Sequence, residues 1–152
     1  MATRAQPDQG PTRLRLKAED DEDLAVISTV LQDAMVLVGD MVYEAEDRCF
    51  VLVANRFRHE SEAERARHGE RVMAGLRIDG VTAVKRREFD PRDAERLLVL
   101  LAVRSASGAI YLDFAGGASI RLESGGILCH LDDFGEPWPT RFRPRHPDED
   151  AG

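Results

Sequence analysis

The sequence predicts an α+β domain: a mainly antiparallel, strongly twisted sheet with one N-terminal and one C-terminal helix. Three observations lead there. Gly39-Asp40, Asp79-Gly80, Ser107-Gly108 and Gly116-Gly117 stand between apolar or alternating runs, and such pairs supply the positive φ that tight hairpin loops need. Apolar and polar residues alternate around those turns, the period of half-buried strands. One early segment, Leu24, Ile27 and Leu31, keeps the helical period behind a run of acids.

Leu14 and Leu16 alternate with Arg13, Arg15 and Lys17, as a first strand would. Glu19, Asp20, Asp21, Glu22 and Asp23 then mark a helix start, expected to run from Asp21 to Ala34. Asp20 can cap it, and the other carboxylates sit where the helix dipole favours negative charge. The same acids make a poor cation site, because they fan around a turn instead of aiming at one point.

Met35 to Val38 is apolar, and Gly39-Asp40 turns it into Met41, Val42 and Tyr43. Glu44 to Asp47 is a second turn region. From Cys49 onward both faces of the next strand are apolar, which suits a central strand. It ends in Asn55-Arg56-Phe57-Arg58. His59 to Glu70 has no large apolar side chain and reads as a solvated loop or short exposed helical turn. His59 and His68 lack the three or four convergent ligands that zinc requires.

Val72, Ala74, Leu76 and Ile78 alternate in a strand that Asp79-Gly80 is expected to fold onto Val81 to Arg87. Asp90-Pro91 stops the pairing, since proline has no donor to give. Leu97 to Val103 carries no charge and reads as a strand buried on both faces. Ser107-Gly108 then leads to Ile110, Leu112 and Phe114, and Gly116-Gly117 to Ile120 and Leu122, completing a meander. Ile127, Leu128, Leu131 and Phe134 change the period and suggest a short helix from Gly125 to Phe134, with Gly135 at its C-cap. Glu136-Pro137-Trp138-Pro139 is an extended segment in which Trp138 can pin the tail. About seven to nine strands result, and a meander followed by a C-terminal helix fits a pleckstrin-homology-like roll. That likeness of fold says nothing about ligand.

With 152 residues, 43% of them apolar, the chain suits one cored domain, placed at 12–140 between a disordered start at 1–11 and a loose tail at 141–152. A net charge of −7 should repel nucleic acid and anionic lipid. No apolar run approaches the ~20 residues of a membrane span, and Met1 to Gly10 lacks a signal peptide's apolar stretch. A cytoplasmic protein is expected. Cys49 and Cys129 each lie in an apolar run and read as buried free thiols, not as a bridge.

Arg56 and Arg58 flank Phe57, and with Arg77 they are candidates to surround a phosphate, carboxylate or base. The plainer reading is a strand end, with Arg56 and Arg58 sharing one side and Phe57 pointing into the core. Lys85, Arg86 and Arg87 read as salt-bridge partners for an acidic surface, with no ligand indicated. Arg141-Phe142-Arg143-Pro144-Arg145-His146 is followed at once by Asp148, Glu149 and Asp150, which offset its field. No nucleophile elbow or metalloprotease motif occurs, Cys129 and His130 are too close in sequence to face each other on a helix, and no catalytic residue, metal or cofactor is expected.

Leu31-Gln32-Asp33-Ala34, Val38-Gly39-Asp40, Asn55-Arg56-Phe57, the run from Phe114 to Leu122, and Glu136-Pro137-Trp138-Pro139 together resemble a family of small uncharacterised alphaproteobacterial proteins, a conserved domain of unknown function. The resemblance runs from Leu14 to His146. It implies a bacterial cytoplasmic protein and carries over no activity or site residue. The function read from the chain is that of a non-catalytic interaction or scaffold protein, monomeric or dimeric through a sheet edge. The alternative is a small anionic-ligand binder using Arg56 and Arg58. An enzyme with a site assembled from distant strands is the third reading.

Overall fold

The computed structural model describes residues 13–58 and 70–139, the last five by backbone alone. The expected disordered start, His59 to Gly69 with both its histidines, the basic tail and the side chain of Trp138 lie outside the described residues.

The described chain runs β1 (Arg15–Ala18), α1 (Asp21–Val30), β2 (Met35–Leu37), a 3-10 turn (Val38–Asp40), β3 (Met41–Glu44), β4 (Cys49–Phe57), β5 (Glu70–Asp79), β6 (Val81–Arg87), β7 (Leu97–Ala106), β8 (Ala109–Phe114), a second 3-10 turn (Ala115–Gly117), β9 (Ser119–Ser124) and β10 (Cys129–Pro139). The strands form one open sheet in the order β1-β10-β5-β4-β2-β7-β8-β9-β6, with β3 also on β4. Every strand pair is antiparallel. The protein is therefore β-rich, with a single α-helix among the described residues.

That helix begins as its sequence dictates. Asp20 is extended, and its carboxylate accepts from the Asp23 amide at 2.8 Å, satisfying one of the orphan donors of the first turn. The helix stops at Val30, short of the expected Ala34, because Asp33 takes a left-handed φ of 69° and its amide turns to the Leu100 carbonyl at 2.7 Å. Ser28 Oγ accepts from the Val103 amide at 2.9 Å. Helix α1 thus covers the stretch of the β7 edge that β2 is too short to reach.

Two of the four turn dipeptides close hairpins. Ser107 and Gly108 both have positive φ, 52° and 77°, and join β7 to β8 in a two-residue loop. Gly116 and Gly117 likewise reverse β8 into β9. The other two correct the expectation. Gly39-Asp40 reverses nothing: β2 and β3 both lie along the same edge of β4. Gly39 is needed for closeness, since a Cβ there would fall 2.9 Å from that of Ala94. Asp79-Gly80 is a corner: β5 pairs with β4 and β10, β6 with β9. Chain segments β5–β6 and β9–β10 cross this corner side by side, so the two halves of the sheet share one core.

Phe50, Leu52, Leu76 and Ile78 fill that core from one half, Leu100, Leu112, Ile120 and Leu122 from the other, and Leu24, Ile27 and Leu31 from the helix. Burial of each such side chain contributes roughly 1.5–3 kcal/mol before entropy is counted. Strand β7 is not buried on both faces as expected: Leu97 and Leu101 are about half exposed. Its uncharged sequence serves one buried face and one partly open one.

The C-terminal helix of the sequence reading is absent; residues 129–139 form β10, and with it the pleckstrin-homology-like plan falls away. Cys129, Leu131 and Asp133 face the core, at strand period, while Phe134 points outward and its ring lies 3.9 Å from where a Gly75 Cβ would be. A charged residue at an inward position disguised the alternation.

Candidate functional site

The arginines singled out in the sequence separate on β4 and β5. Arg56 is fully buried and ion-paired to the buried Asp133. Arg58, on the same side of β4, holds Glu70 at 2.8 Å. Arg77 lies on the outward face of β5 and holds Asp79 at 3.0 Å; this hydrogen-bonded carboxylate raises its pKa further. Each thus engages a carboxylate of the chain itself. Phe57, expected in the core, lies on the opposite side of the strand from Arg56, with the Arg71 guanidinium 5.6 Å from its ring centroid.

The basic surface gathers elsewhere, on the outer face of β7, β8, β9 and β6. Register places Arg104 opposite Tyr111, Tyr111 opposite Arg121, and Arg121 opposite Lys85, a single row across four strands. Arg87 lies two residues further along the same face of β6. Two β-bulges create the row. The register shifts between Leu100 and Ala102, so Leu100 and Val103 both point inward and Arg104 turns out. It shifts again between Val81 and Ala83, leaving Val81 inside and Lys85 outside.

Tyr111 centres the row. The Arg104 guanidinium lies 4.3 Å over its ring and that of Arg121 5.6 Å away, both within cation–π range. Asp113 holds Arg104 at 2.6 Å and raises its pKa through that hydrogen bond. Glu123 holds Arg121 at 2.6 Å. Among the described residues, Lys85, Arg86 and Arg87 have no ion-pair partner, and all three are exposed. Glu123 apart, these residues line an open concavity of about 480 Å³ that holds five cations against one carboxylate, Asp113. Bidentate guanidinium and point-charge ammonium groups so placed suit carboxylates or phosphates.

Lys85, Arg86 and Arg87 stand out in the sequence as a charge cluster, but their union with Arg104, Tyr111 and Arg121 does not. The available signal was a tyrosine between arginine-bearing strands of the meander, and only register joins them.

Cys49 and Cys129 are free and buried. Burial pushes the Cys129 thiol up to about 12, and raises that of Cys49 as well. Neither is a ready nucleophile. Among the described residues no group of three or more His, Cys, Asp or Glu is placed to hold a metal, and no helix is long and apolar enough to cross a membrane.

The family model described as Protein of unknown function (DUF2948) matches residues 14–146. No curated protein and no solved structure matches the chain.

Proposed function

For this chain, which belongs to the DUF2948 family of proteins of unknown function, we propose a role as a binding protein that recognises an anionic partner on the outer face of β6–β9. The observation that carries this is the row Arg104–Tyr111–Arg121–Lys85, extended along the same face of β6 by Arg87, on a chain whose net charge is −7. On a chain biased toward acid, this concavity brings five cations together, and Lys85 and Arg87 among them have no ion-pair partner among the described residues. Asp113 and Glu123 hold two of the guanidiniums in place, while Lys85 and Arg87 remain for a ligand on this face. The anion-binding reading of the sequence thus moves from Arg56, Arg58 and Arg77 to this row.

Heparin serves as a polyanion probe. The protein is retained on a heparin column at low ionic strength and released as salt rises, because exposed charges are screened beyond about 10 Å at 0.1 M. The double variant Lys85→Glu, Arg87→Glu passes through unretained. Passage of the wild type, or equal retention of both proteins, overturns the proposal.

A further inference from the structure

We infer that the open edge of β6 takes up an acidic peptide as an added β-strand. The inference rests on the anion-binding reading above and names its ligand class. Strand β6 ends the sheet: it pairs with β9, and among the described residues no strand pairs its other edge. The two-residue turn closes on Ala106 and Ala109, and alternation carried outward from that pair through β8 and β9 bonds Ala83, Lys85 and Arg87 to β9. The amides and carbonyls of Val84 and Arg86 therefore point away from the sheet. Such unpaired edges are templates for strand addition.

Charge chooses the occupant. Lys85, Arg86 and Arg87 stand side by side on this edge, so a second copy pairing β6 on β6 would bring like charges together. An extended peptide with carboxylates at alternate positions continues the outer row instead, placing one acid opposite Lys85 and the next opposite Arg87. Nucleic acid fits less well. Single-strand binders offer open aromatic rings to bases, whereas Arg104 covers the Tyr111 ring at 4.3 Å.

The test is amide exchange by NMR on the full chain, with an eight-residue peptide of alternating Glu and Val. Peptide binding slows exchange of the Val84 and Arg86 amides at least tenfold, and a peptide of alternating Lys and Val does not. The variant Val84→Pro deletes one outward donor without removing a charge or a bond to β9; it loses the peptide but stays on heparin. Peptide binding without protection of Val84 and Arg86 overturns strand addition and leaves the anion reading standing. Retention on heparin without peptide binding does the same. Failure of both probes removes both.

Discussion

Arg56 donates through Nε and Nη2 to the two carboxylate oxygens of Asp133, at 2.8 and 2.7 Å, across 77 positions of sequence. Both residues are essentially closed to solvent. Asp133 Oδ2 also accepts from the Leu14 amide at 2.9 Å, and the Asp133 carbonyl accepts from the Arg13 guanidinium. One ion pair therefore joins the end of β4, the middle of β10 and the segment entering β1.

Breaking this pair from either side strands a buried charge. Arg56→Met and Asp133→Leu should each cost roughly 3–5 kcal/mol, read by urea unfolding. The double variant should cost clearly less than the two singles summed, because neither charge is left alone. Strict additivity would mean that the pair does not couple the two strands energetically.

Asp20→Ala should lower stability by about 1 kcal/mol, since the Asp23 amide loses its acceptor. Asp20→Asn should retain most of that. Thermal unfolding of the three proteins checks the order, and equal midpoints would remove the capping role.

Gly39→Ala should destabilise by about 1–3 kcal/mol, because its Cβ would meet the Ala94 Cβ at 2.9 Å and the Ala94 carbonyl oxygen at 3.0 Å. The neighbour that must move is itself bonded to the Gly39 amide. Pairing Gly39→Ala with Ala94→Gly should recover part of the loss; no recovery would place the strain elsewhere.

Stability should fall in alkali through Cys129. Its folded pKa, about 12, lies above the ordinary thiol value of 9.0, so the folded state keeps the proton longer than the unfolded chain does. The stabilisation is complete below pH 9 and is lost as pH rises from there toward 12, at a limiting slope of about 1.4 kcal/mol per pH unit. Cys129→Ala should show a shallower decline in denaturant midpoint over that range. Parallel declines would mean that burial does not hold the thiol protonated.

Local chemistry carried some elements unaided. Asp20 followed by three acids names a helix start, because cap and dipole act within one turn. Ser107-Gly108 names a hairpin, because its positive φ values match strand twist. Cys49 and Cys129 announced their burial by their apolar neighbours. Family membership was also readable from the spacing of short motifs along Leu14 to His146.

What the local sequence could not settle is which distant segment each side chain meets. Gly39 and Gly80 carry the same turn chemistry as Gly108, yet one allows close approach and the other turns a corner, according to which strands lie alongside. Asp133 looks like an outward residue until Arg56 neutralises it from another strand. The basic row depends on bulges at Leu101 and Thr82, each of which exchanges inside for outside along the rest of its strand. Pairing energy is nonlocal: hydrogen bonds and charges across the sheet decide register, and register decides which cations share a face.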